Sequence, residues 1–221
     1  MYRYQKLFET LLDIQESDVC ILSEEEMRAL MRHRDCIIRS ELCYSLLSYR
    51  PEFARQCLLH LIYDPNHLVR SSAAECLDMF VNDQEVCEAL LEVYRSDKNT
   101  LVRGYAAYSL LSVGRTQEEV VAFVETSLSK EHYYFVRLLC YYGLYRFCKR
   151  AYLPQIIDCF SAQKYITRVA TANVLLELLE DHLIPLSDFE MVQAAIQKIT
   201  SEDPLPDMCE KVEKIKRLLS S

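Results

Sequence analysis

The sequence has no tryptophan, three glycines and six prolines in 221 residues. So few glycines exclude a glycine-rich loop that cradles phosphates, which needs several in one turn. Together with the scarcity of proline they leave no flexible linker, and no serine-rich or single-charge block appears either. No hydrophobic run approaches the ~20 residues that a membrane-spanning helix needs. The sequence holds no C-x-x-C, no G-x-S-x-G and no H-E-x-x-H, so these zinc, serine-hydrolase and metalloprotease signatures are absent. His33 and Cys36 stand three apart, but no second pair lies near them, and neither metal nor cofactor is expected.

Ten cysteines are present, most of them on apolar stripes, where a free thiol acts as a small hydrophobe. The residues Met1 to Glu9 lack the apolar core of a signal peptide. The expectation is a cytoplasmic chain with reduced thiols. The formal charge is −8. Arg146, Lys149 and Arg150 form a short basic cluster, but no basic stripe of the kind that neutralises nucleic-acid phosphates exists. The composition therefore argues against nucleic acid and against an anionic membrane surface as partners.

The chain repeats itself. Segments 35–49, 66–80, 99–113, 133–147 and 164–178 share one frame, centred on Arg39, Arg70, Arg103, Arg137 and Arg168, spaced 31 to 34 residues apart. With the arginine as position zero, position −4 holds Asp35, Asn66 and Asn99 in the first three copies, all good helix N-caps. Positions −1, +3, +4 and +7 are mostly apolar and small-to-leucine, one stripe at helical period. An amphipathic segment precedes each copy, at about 51–63, 83–94, 116–128 and 152–160, with a short turn between. Such a helix–turn–helix unit cannot bury its apolar face alone and must stack on its neighbours.

The ends read as caps. Tyr2 to Ile14 is amphipathic and predicts a helix covering the first repeat. Ser23 with Glu26, and Ser187 with Glu190, have the spacing of capping boxes. Gly114 is placed as a C′ glycine at the end of the third repeat. Gly143 falls inside a helix, where close packing is the expected reason for it. The expected organisation is a single domain over 1–221: an N-terminal cap at 1–20, five repeats at 21–180 and a capping helical pair at 181–221.

The turn acids Asp64 and Asp97, the pairs Val69-Arg70, Val102-Arg103 and Val136-Arg137, and the following Ala73-Ala74 and Ala106-Ala107 resemble HEAT repeats. The likeness is to the short variant found in phycobilin lyases. It implies an all-α, right-handed α-α superhelix of about six helical pairs, with the second helices lining a concave face. It also implies a ladder of ion pairs between repeats, carried onto Arg70, Arg103, Arg137, Asp64 and Asp97. In repeat one the acid sits at Asp35 instead.

On that concave face the columns +2, +5 and +9 lie opposite the core. They place Tyr105, Tyr108, Leu139 and Tyr142 together as anchors, with Glu75 and Arg146 as polar rim. Tyrosine and arginine are enriched at binding hot spots. Tyr133, Tyr134, Tyr141 and Tyr145 are assigned to the core or its edge. The resulting expectation is a non-catalytic scaffold that binds a protein or peptide there. The rival is a HEAT-like enzyme or accessory, akin to alkylated-base DNA glycosylases or bilin lyases; a third reading is a subunit that forms a homo-oligomer through its terminal helices. A HEAT-like hydroxylase is set aside because no His-Glu dipeptide occurs.

Overall fold

The computed structural model describes residues 2–17, 19–149, 151–202 and 206–220. Arg150 of the basic cluster lies outside them. The described residues form thirteen α-helices and no strand. In chain order these are α1 (Tyr2–Ser17), α2 (Glu24–Leu30), α3 (Cys36–Ser45), α4 (Pro51–Leu61), α5 (His67–Cys76), α6 (Gln84–Ser96) and α7 (Thr100–Val113). They continue with α8 (Glu118–Leu128), α9 (Tyr134–Arg146), α10 (Leu153–Asp158), α11 (Tyr165–Glu180), α12 (Phe189–Glu202) and α13 (Pro206–Ser220). After α1 the order is six helix pairs, each frame segment supplying the second helix of its pair. No helix among the described residues is long and apolar enough to cross a membrane.

The coordinates group into two compact units, 1–125 and 126–221. In the first unit, α1, α3, α5 and α7 pack side by side in sequence, and α2, α4 and α6 pack against their own partners α3, α5 and α7. In the second unit, α9, α11 and α13 form the corresponding row, with α10 against α9 and α12 against α13.

The frame explains the helices. Asp35, Asn66 and Asn99 each accept the backbone N–H two residues on, at 2.9 Å, which satisfies one of the orphan donors of a first turn. Ser23 and Glu26 form the expected capping box at the start of α2. The stripe at −1, +3, +4 and +7 is buried in all five copies, from Ile38, Leu42, Cys43 and Leu46 to Thr167, Thr171, Ala172 and Leu175. The alanines at Ala73-Ala74 and Ala106-Ala107 are fully covered, which lets α5 and α7 approach closely.

Serine hydroxyls tie the row of second helices together at a constant offset. Ser109 and Ser112 on α7 donate to the carbonyls of Glu75 on α5 and Asp78 in the turn after it. Ser45 and Ser48 on the α3 segment donate to Leu11 and Ile14 on α1 in the same way. Each pair is 34 residues apart. Helix α1 therefore sits in the register of a second helix, one repeat before the first recognisable frame.

Three local expectations are corrected. Gly114 is the C-cap of α7 with φ −95°, not a left-handed residue. A Cβ there would lie 3.0 Å from Val120 Cγ1 and 3.1 Å from the Leu110 carbonyl oxygen, so the glycine serves close approach of the chain entering α8. Ser187 lies inside a 3-10 turn, Leu186–Asp188, that leads into α12 at Phe189, so it is not the residue before the helix. Asp35 caps α3, and the side chain in register with Asp64 is His33, whose Nδ1 accepts the Asp35 N–H at 3.2 Å.

None of the ten cysteines is in a disulfide. Burial pushes the Cys159 thiol up to about 12 and raises Cys43 and Cys76 well above the ordinary value.

Candidate protein-interaction face

Two polar systems run across the second helices, one at their turn end and one on the side away from the core. At the turn end, Arg39 grips Asp64 with two parallel bonds, Nε to Oδ2 at 2.7 Å and Nη2 to Oδ1 at 2.8 Å. Arg70 repeats this with Asp97, at 2.6 and 3.1 Å. The same arginines use Nη1 on carbonyls of their own turn, His33 for Arg39 and Asp64 and Pro65 for Arg70. Each aspartate also accepts the amide two residues on, Asn66 or Asn99. Each link therefore joins two consecutive repeats and closes the turn of both.

Burial alone would raise the Asp64 and Asp97 carboxyls. The bonds from arginine and from the asparagine amide outweigh it and hold both below the ordinary carboxylate value. Asp64 is only 6% exposed at its side chain and Asp97 8%, so these are ion pairs of the interior.

The later arginines reach carbonyls or a hydroxyl. Arg103 reaches the carbonyls of Asp97 and Lys98. Arg137 donates to the Tyr141 hydroxyl and lies over the Tyr134 and Tyr141 rings. Arg168 holds the carbonyls of Ala162 and Gln163. Glu131 does the turn-closing part of the aspartate's work, accepting the Tyr133 N–H at 2.9 Å. The resemblance placed the ladder on Arg70, Arg103, Arg137, Asp64 and Asp97 and left out Arg39. The shared frame was the signal that could have included it.

The columns −2, +2, +5 and +9 of the first three frame segments lie opposite the buried stripe, with Ser72 and Ser112 among them themselves covered. The twelve residues there include Glu41, Tyr44, Glu75, Met79, Tyr105 and Tyr108 and no lysine or arginine. Tyr105 and Tyr108 are half-buried on α7. Glu75 on α5 accepts the Tyr44 hydroxyl at 2.7 Å, and burial and the Glu75 charge hold the Tyr44 hydroxyl above its ordinary value. Met79 is 66% exposed and Ile37 39%.

In the second unit the anchors assigned from sequence are covered. Tyr142 is 3% exposed and Leu139 7%, which corrects their placement on an open groove. The Tyr142 hydroxyl donates to Glu177 Oε2 on α11 at 2.5 Å and accepts from Arg146 Nη1 at 2.9 Å. Arg146 also pairs with Asp181 at 2.7 Å and lies over the Tyr142 and Phe147 rings. Arg146 is thus part of a closed network between α9 and the end of α11, not a free rim residue. Tyr141 is buried and stacks on Tyr152, whereas Tyr133 stands exposed at the edge.

Among the described residues no group of three or more histidine, cysteine, aspartate or glutamate side chains is placed to hold a metal ion. The search of curated proteins gave no match. Residues 24–111 match the family model described as HEAT repeats, and they span α2 to α7, the part with the frame and the ion-pair ladder. Residues 24–111 are thus similar to HEAT repeats, and the later frame segments continue the same order of helix pairs.

Proposed function

We propose that the chain is a non-catalytic scaffold whose first unit binds a protein or peptide on the coreless side of α3, α5 and α7. HEAT repeats commonly mediate protein–protein interaction and are typically non-catalytic. The observation that carries the reading is the pair Tyr105 and Tyr108, half-buried on α7 beside the Tyr44–Glu75 bond on α3 and α5. Tyrosine offers a large contact area with little rotamer entropy to lose and joins an apolar ring to a polar tip. The neighbouring Met79 adds exposed apolar area that adapts to the shape of a partner. The acidic Glu41 and Glu75, without lysine or arginine in the same columns, disfavour a nucleic-acid backbone on this face.

The test is a pull-down with the wild-type chain and with Tyr105→Ala/Tyr108→Ala, after circular dichroism confirms that both fold. A protein held by the wild type and lost by the variant supports the face. Equal recovery of the same proteins by both rejects it.

A further inference from the structure

At the start of the ladder lies a cavity of about 610 Å³, lined among others by Met31, Arg32, Arg34, Leu59, His60 and Tyr63. Its other members, Arg39 and Asp64, neutralise each other in their two-bond pair. Arg32 and Arg34 do not share that fate. Both are exposed, and neither forms an ion pair among the described residues. In a chain of net charge −8, this cavity carries two uncompensated guanidiniums and two histidines, His33 and His60.

The repeat frame shows how this turn departs from its equivalents. Three of the four matching turns, Tyr63-Asp64-Pro65, Ser96-Asp97-Lys98 and Lys130-Glu131-His132, have an acid in the middle, and the fourth reads Ser161-Ala162-Gln163. Here the turn reads Arg32-His33-Arg34. The acid at this place serves the arginine one repeat earlier. The 34-residue register of α1 puts Gln5 there, so a carboxylate would have nothing to pair with. His33 keeps the turn closed through Nδ1, and the ladder needs no cation on either side of it. The C-terminal ends of α2 and α4 at this edge contribute at most about half a negative charge each, less than two arginines supply.

We propose that this cavity binds a phosphate monoester, with Arg32 and Arg34 gripping the phosphoryl oxygens and Met31, Leu59 and the Tyr63 ring against the carrier. A guanidinium fork matches two oxygens of a phosphoryl group, and two forks match a dianion better than a single carboxylate. The volume falls in the range of small-molecule sites, larger than a bare phosphate fills. The site lies at the turn edge and does not depend on the tyrosine face.

The experiment is an NMR titration of the ¹⁵N-labelled chain in phosphate-free buffer with O-phosphoserine, serine and inorganic phosphate. Saturable shifts of the amides of 31–34 and 60–64 with O-phosphoserine are expected, none with serine, and weaker binding with inorganic phosphate. Arg32→Ala/Arg34→Ala is expected to weaken O-phosphoserine binding at least tenfold, while Arg115→Ala, an exposed cation elsewhere in the unit, leaves it unchanged. Absence of saturable shifts, or equal binding by the double variant, overturns the site. Equal affinity for inorganic phosphate overturns the assignment to an ester.

Discussion

The two units follow one frame and close it differently. In the first, Arg39 and Arg70 reach carboxylates of the next repeat, and Tyr105 and Tyr108 remain half-open. In the second, Arg137 finds a hydroxyl and Arg168 two carbonyls, while Tyr142 is sealed by Glu177 and Arg146. Arg39, Arg70, Arg103 and Arg168 share one task, binding carbonyls at the turn of their own helix pair, whereas Arg137 binds the Tyr141 hydroxyl. The ion pair to the next repeat is an addition, present where an aspartate stands at the following turn and missing where Ala162 does. Likewise, column +5 holds Tyr108 in the first unit and Tyr142 in the second, and Arg146 and Glu177 at column +9 bond the Tyr142 hydroxyl.

The largest effect that separates the units is expected from the ladder. Asp64→Ala leaves Arg39 buried without its partner and is expected to lower stability by about 3–5 kcal/mol. Arg168→Ala removes hydrogen bonds to the carbonyls of Ala162 and Gln163 and a contact with the Tyr165 ring, and is expected to cost about 1.5–3 kcal/mol. Urea unfolding followed by far-UV circular dichroism measures both, and equal losses would erase the distinction.

Acid acts on the same pairs. The Asp64 and Asp97 carboxyls titrate lower in the folded chain than in the unfolded one. Their contribution is complete above the ordinary aspartate value of about 4 and is lost as pH falls through the depressed values. The urea midpoint is therefore expected to drop on acidification below that point. Asp64→Asn/Asp97→Asn is expected to start lower and to flatten that drop.

Helix ends sharpen the contrast further. Gly114→Ala crowds Val120 at the end of α7 and is expected to cost about 1–3 kcal/mol, read as a lowered urea midpoint. At the end of α11, His182 has φ 54°, and its N–H and that of Leu183 bond back to Leu179 and Leu178 in a Schellman closure. Glycine is the residue suited to that conformation, so His182→Gly is expected to stabilise by about 1 kcal/mol in the same assay.

The helices and their buried stripe were legible because both depend on spacing within a single segment. The cap at Asp35, Asn66 and Asn99 and the columns −1, +3, +4 and +7 follow from helical period alone. What escaped depends on a neighbour. The cover over Tyr142 comes from Arg146 one turn on and Glu177 in the next repeat, 35 residues away. The role of Gly114 is set by Val120 across a turn, and a C′ glycine and a crowded C-cap glycine look alike in sequence. Ser187 and Glu190 have capping-box spacing, but the chain enters α12 through a 3-10 turn. The turn role of His33 was not legible, because a histidine nitrogen does there what a carboxylate oxygen does at Asp64, Asp97 and Glu131.

The scaffold reading stands or falls on what touches the side of α7 away from the core. A benzophenone amino acid placed at position 108 and, separately, at the exposed position 88 of α6, followed by irradiation in native lysate, tests it directly. The account predicts a discrete cross-linked product from position 108 that position 88 does not give and that Tyr105→Ala abolishes. A product from position 88 alone, or the same products from both positions, would contradict it.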